Sequence, residues 1–120
     1  MYCEVCGFEY NYELIPGVIC SCCGYEYDVD DYITLEEINI VKRYGEVVSP
    51  LVRRELNVLQ LETTQSLPIN YALEILRRIW IKNGCSWTYN SKGNKPIDWS
   101  IDKAKEQLKN IGYEINFTGN

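Results

Sequence analysis

Near the N-terminus one word occurs twice, as Cys3-Glu-Val-Cys6-Gly7-Phe8-Glu9-Tyr10 and as Cys20-Ser-Cys22-Cys23-Gly24-Tyr25-Glu26-Tyr27. Each copy reads Cys-x-x-Cys-Gly-aromatic-Glu-Tyr, so the pair has the form of a local duplication. A tight turn over Cys-x-x-Cys brings two sulfurs to one side, and two such turns supply four. Glycine after the second cysteine accepts positive φ without steric cost and leaves backbone N–H groups free to support the sulfurs. Cys3, Cys6, Cys20 and Cys23 therefore form a C-x2-C-x13-C-x2-C set matched to one tetrahedral Zn²⁺, with Phe8 and Tyr25 placed to cover it.

The chain has no histidine, which excludes mixed Cys/His sites. Protein fills all four positions of such a centre. No place is left for water or substrate, so the zinc is expected to be structural rather than catalytic. Two disulfides in an exported protein compete with this reading, but the start lacks the charged and apolar regions of a signal peptide. A redox dithiol would call for a βαβ context that the start does not show. Cys22 could replace Cys20 only at poorer spacing and is expected to be unligated or a contact behind the ligands. Cys85 has no histidine to act as its base and is read as a small buried apolar residue.

Charge is divided unevenly along the chain. Residues 1–41 hold nine acids (Glu4, Glu9, Glu13, Glu26, Asp28, Asp30, Asp31, Glu36 and Glu37) and no base, whereas all 12 bases follow from Lys42 onward against eight acids, a net +4. Four thiolates on one zinc would make the front more negative still. Such a surface repels phosphate and anionic lipid and steers a basic partner toward itself, unless it is only a solvated face. No stretch approaches the apolar length needed to cross a bilayer, and a cytoplasmic location is expected.

Beyond the cysteines the punctuation is helical. Thr34-Leu-Glu-Glu37 is a capping box for a helix expected to end near Gly45. Ser49-Pro50 starts a second helix with Val52, Leu56 and Leu59 on one face. Pro68 opens a third over Ile69 to Lys82, stopped by Asn83-Gly84, and Ser100 caps a fourth over Ile101 to Asn110, ended by Gly112. Val18-Ile19 and Tyr25 to Val29 are expected as short strands of a ribbon-like hairpin, and Tyr113 to Phe117 as a tail or strand. Trp87 and Trp99 are read as packing residues. The expected fold is α+β, mainly α: a zinc-ribbon-like double knuckle over residues 1–33 packed on a three- to four-helix domain over residues 34–120.

Several words bear a resemblance. Ile19-Cys20-Ser21-Cys22-Cys23-Gly24-Tyr25-Glu26-Tyr27 resembles the Cys-Pro-Cys-Cys-Gly-Phe-Glu-Phe signature of a group of small bacterial cysteine-rich proteins. The likeness continues through Leu76-Arg77-Arg78-Ile79-Trp80-Ile81-Lys82-Asn83-Gly84-Cys85-Ser86-Trp87, Pro96-Ile97-Asp98-Trp99 and Glu106-Gln107-Leu108-Lys109-Asn110-Ile111. Ser21 stands where that signature has proline. The resemblance implies an accessory protein of the kind found beside toxin or phage genes, with an immunity role, and identifies no binding residue.

The functional expectation is a non-enzymatic, structural-zinc protein that binds another protein, with a basic toxin or nuclease as the fitting partner. Asp28, Asp30, Asp31, Glu36 and Glu37 are its candidate contacts. Nucleic-acid binding is the alternative, resting on Arg53-Arg54, Arg77-Arg78, Lys103, Lys105 and Lys109, although the knuckles carry no base to meet phosphate. Catalysis finds no Ser/His pair and no glycine-rich phosphate loop to build on.

Overall fold

The computed structural model describes residues 1–91 and 93–115. The helices fall where their caps place them. Helix α1 spans Leu35–Ile40, and the Thr34 side chain and the Glu37 carboxylate satisfy each other's backbone N–H groups at its start. Val41 leaves the helical region, and a short α2, Lys42–Gly45, follows at a new angle. The single helix expected from Thr34 to Gly45 is thus two. The β-branched run Ile38, Ile40 and Val41 lowers helix propensity at the break. The fold-back sets Gly45 so close to the Ile38 carbonyl that a Cβ there would lie 2.6 Å from its oxygen.

Helix α3, Pro50–Leu59, begins with Ser49 accepting from the Val52 N–H and proline in the first turn. Helix α4, Ile69–Lys82, has the bounds the sequence predicts and passes into Asn83-Gly84. Helix α5, Ile101–Leu108, is capped by Ser100 and tightens into a 3-10 turn, Lys109–Ile111, before Gly112 at φ 72°. Residues 113–115 form neither helix nor strand, and the rest of the predicted tail lies outside the described residues.

Two apolar clusters share α4 as a wall. Ala72 and Ile75 face Ile33, Ile38, Val48, Leu56 and Leu67 on one side. Leu73 and Trp80 face the cysteine segment together with Cys85, Ala104 and Leu108 on the other. Trp87 and Trp99 pack edge to face at 5.1 Å against this second cluster, and the Trp99 indole donates to the Cys85 carbonyl.

The expected α+β class with a zinc-ribbon-like module is overturned. Among the described residues no strand or sheet forms, and pairing is limited to the isolated bridges Tyr2–Glu9, Ile19–Glu26 and Thr34–Ser66. The chain is mainly α-helical. Each Cys-x-x-Cys-Gly turn consumes the residues between its bridge partners, and in the second arm Pro16-Gly17 and the turn from Tyr27 to Asp31 end the backbone pairing at the Gly17 N–H to Tyr27 carbonyl bond. Val18-Ile19 and Tyr25 to Val29 therefore never extend into a ladder. Among the described residues no helix is long and apolar enough to cross a membrane.

Candidate metal centre

The duplication in the sequence is a duplication in space. In the first knuckle the Cys3 N–H donates to the Phe8 carbonyl and the Gly7 N–H to the Cys3 carbonyl, each at 2.8 Å. In the second, the Cys20 N–H donates to the Tyr25 carbonyl and the Gly24 N–H to the Cys20 carbonyl, again at 2.8 Å. Gly7 and Gly24 take φ of 83° and 81°, the left-handed turn that lets the chain reverse behind the second cysteine.

The two turns face each other and bring Cys3, Cys6, Cys20 and Cys23 into one cluster whose sulfurs all lie within 4.8 Å of one another. Cys3 and Cys23 sulfurs are 3.7 Å apart, and Cys6 and Cys20 sulfurs 3.6 Å. Four sulfurs at Zn–S of about 2.3 Å on a tetrahedron stand about 3.8 Å from one another, so the spacing suits a tetrahedral ion. It is far longer than the ~2.05 Å of a disulfide, and all six cysteines of the chain are free.

Thiols packed this closely cannot all ionise by themselves. Hydrogen bonds from the Cys23, Cys3 and Cys6 thiols, with help from the Cys23 N–H, hold Cys20 well below the ordinary thiol range. Burial pushes Cys6 and Cys23 well above it. Tyr10, buried beside Cys3 and Cys20, has its phenol driven up by burial first and then by the charge of those two sulfurs. A bound cation removes the conflict, because it supplies the charge that four thiolates need.

Distant residues cap the outward carbonyls of the turns. Arg77 donates to the carbonyls of Val5 at 2.9 Å and Glu4 at 2.6 Å, is paired with Glu74, and lies over the Tyr113 ring. The Gln107 amide donates to the Cys6 carbonyl and Asn110 to that of Gly7. On the second knuckle, the Thr88 N–H and hydroxyl both donate to the Cys22 carbonyl, and the Tyr89 N–H to that of Ser21. Sequence reasoning missed Gln107, Asn110 and Thr88 in this role, since polar residues in a late helix and loop have no pattern that points to a turn so far upstream. Arg77 was visible only as a base.

Phe8 is half-buried, packed edge to face against Tyr10 and Trp87, and Tyr25 is buried. Cys22 and Cys85 are both buried, and burial raises the Cys85 thiol to about 11, with the neighbouring Cys22 adding to it. The acidic candidates are scattered among local roles. Asp28 accepts from the Tyr32 hydroxyl, Asp30 from the Glu26 N–H, and Glu37 completes the α1 cap. Glu36 is exposed, while Asp31 is 6% exposed and its buried Oδ1 has no hydrogen-bond partner. Of the basic candidates, Arg77 points into the knuckle, Arg53 donates to the Gly45 carbonyl, and Arg78, Lys103 and Lys109 pair with Glu74, Asp98 and Glu106.

These features define a class: a small, mainly α-helical protein built around a four-cysteine cluster able to coordinate a metal ion. No family model, curated protein or solved structure matches the chain.

Proposed function

We propose that the cluster holds one structural Zn²⁺ and that the protein so stabilised acts by binding a basic protein, in the manner of an immunity protein neutralising a toxin. The observation that carries the zinc reading is four mutually close sulfurs, all supplied by protein and backed on both turns by side chains from α4, α5 and the 88–89 segment. Soft thiolates in tetrahedral array select zinc over hard oxygen-seeking cations. When bound, the ion would neutralise the thiolates and lock the two turns together. The residues of this chain exclude water from it and fix the turn carbonyls.

Support for a basic partner comes from the charge division, with nine acids and no base through residue 41, and from exposed Val29 and Tyr32 set among Asp28, Asp30 and Glu36. Aromatic and aliphatic anchors ringed by charge suit a protein interface, where the charges set on-rate and register. The internal commitments of Arg77 and Arg53 favour this reading over nucleic-acid binding. The test is an affinity capture from the native host with zinc-loaded bait of measured metal content. Its control carries Asp28→Asn, Asp30→Asn and Glu36→Gln and leaves buried Asp31 untouched. A single basic protein retained by the first bait and lost by the second is expected. Nucleic acid recovered equally by both overturns the reading.

A further inference from the structure

The bridge of the second knuckle is closed on one side and open on the other. Ile19 and Glu26 face each other across it, flanked by the bonds from the Cys20 N–H to the Tyr25 carbonyl and from the Tyr27 N–H to the Val18 carbonyl. In such a pair the N–H and carbonyl of both facing residues point away from the partner. Those of Glu26 are taken. Its N–H donates to the Asp30 carboxylate at 2.9 Å, and its carbonyl accepts from the Val29 and Asp30 N–H groups. Those of Ile19 meet no donor or acceptor among the described residues.

Further along the same edge the knuckle is covered. The Cys22 and Ser21 carbonyls accept from the Thr88 and Tyr89 N–H groups, each at 2.8 Å. Followed further, that run would bring Ser91 opposite Ile19. The chain turns away instead, because the Asn90 carbonyl accepts from the Gly93 N–H and its side chain from the Lys95 N–H. The gap so left is a surface cavity of about 480 Å³, lined by the knuckle residues Tyr12, Val18, Ile19 and Ser21 and by Tyr89 and Ser91. Tyr12, Ile19 and Tyr89 are each nearly half-exposed there. An open edge beside an apolar groove takes an added strand: main-chain hydrogen bonds hold the incoming chain, and its alternate side chains enter the groove.

The geometry points to this groove as a docking site for an extended peptide of a partner protein, paired with the Ile19 N–H and carbonyl and seating an apolar side chain against Tyr12 and Tyr89. Charge selects the peptide. Facing side chains of a bridge share one face, so Glu26 brings a carboxylate beside Ile19, and no base occurs in the first 41 residues. Basic residues flanking an apolar one fit this setting. A second copy of the chain, paired edge to edge, would instead set one acidic front against another. The site lies beyond the acidic contacts proposed above and does not depend on them.

The test uses the full chain with zinc added, labelled for amide NMR, and the capped hexapeptide Lys-Val-Lys-Val-Lys-Val as probe. The Ile19, Ser21 and Tyr89 amides are expected to shift on titration, and the Ile19 N–H to exchange more slowly with solvent. The same peptide methylated on every backbone nitrogen keeps its side chains but not its donors, and should bind at least about tenfold more weakly. Tyr89→Ala removes the ring and leaves the backbone groups that bond to Ser21 and Trp87. It should weaken the parent peptide at least about fivefold. Glu26→Gln should weaken it about twofold to fivefold, an effect that high salt removes. Absence of binding, or binding indifferent to both N-methylation and Tyr89→Ala, overturns the proposal. Shifts confined to residues 28–32 overturn it too, while leaving the acidic contacts standing. Protection of the Ile19 N–H that grows with protein concentration in the absence of peptide assigns the edge to a second copy and likewise overturns it.

Discussion

Three glycines form a natural series for testing how the late helices seat on the metal turns. Gly17, Gly24 and Gly7 have nearly the same backbone, with φ of 92°, 81° and 83°. An alanine at any of them carries the left-handed strain of a non-glycine residue, about 1–2 kcal/mol. What a Cβ would meet differs. At Gly17 nothing lies within 4 Å, at Gly24 the nearest atom is a Thr88 methyl at 3.1 Å, and at Gly7 it is the Gln107 backbone carbonyl oxygen at 2.2 Å. A Thr88 rotamer can give way, but the backbone of α5 cannot move without releasing the bonds that Gln107 and Asn110 make to the first knuckle. Overpacking of that kind adds about 1–3 kcal/mol. The expected losses are therefore about 1–2 kcal/mol for Gly17→Ala, slightly more for Gly24→Ala, and about 2–5 kcal/mol for Gly7→Ala. Urea unfolding at fixed excess zinc, read as a shift in midpoint at constant slope, measures the series. Equal losses at Gly7 and Gly17 would refute the docking of α5 on the first knuckle.

Arg77→Met should cost about 1–3 kcal/mol by leaving the part-buried Val5 carbonyl without its donor, since Glu74 keeps Arg78, while Arg78→Met, an exposed partner of the same acid, stays within about 1 kcal/mol; paired urea midpoints check the contrast. Zinc affinity should fall by about a hundredfold per pH unit on acidification below neutrality, because burial keeps at least Cys6 and Cys23 protonated until the ion displaces their protons. Competition with a chromophoric chelator between about pH 6 and 8 reads this, and a pH-independent affinity would contradict it. Cys85 titrates at about 11 in the fold against 9.0 when free. Its contribution is present below the free value and is lost as pH rises toward the folded one, on the order of 2 kcal/mol. Cys85→Ala should flatten that alkaline limb in urea midpoints measured from about pH 8 to 11.

The helices and the four-cysteine cluster were legible because both are written locally. Ser49-Pro50, Pro68, Ser100 and Gly112 each act through the turn in which they sit, and the structure places α3, α4 and α5 accordingly. The cysteine spacing is equally local, since a Cys-x-x-Cys-Gly turn closes on its own backbone. Two errors came from properties that local reading weighs poorly. The continuous helix to Gly45 failed at Val41, where a β-branched run meets a tight approach to the Ile38 carbonyl. The ribbon strands failed because alternating apolar residues around a turn favour extended backbone without guaranteeing a partner for more than one bridge. Asp31 was indistinguishable in sequence from Asp28 and Asp30, yet it lies buried while they are exposed.

The deeper limit is that the duplicated turns have unlike surroundings. Both close through the same hydrogen bonds, so the sequence repeat accounts for their shape. Their exposed carbonyls are then claimed by different parts of the chain: Arg77 of α4 and Gln107 and Asn110 of the α5 end on the first, and Thr88 and Tyr89 on the second. A turn that reverses in so few residues leaves more acceptors pointing outward than it can satisfy itself, and buried ones need donors from elsewhere. The centre is thus the place where α4, α5 and the 88–89 segment are tied to the N-terminus. The same asymmetry separates Val5 from Cys22: one repeat keeps an apolar core residue, and the other, with the half-buried Cys23 beside it, keeps a sulfur held by Gln107. An ion placed at that junction stabilises contacts running from residue 4 to residue 110, so the mechanical consequence of metal binding extends over the second core cluster and not over the knuckles alone.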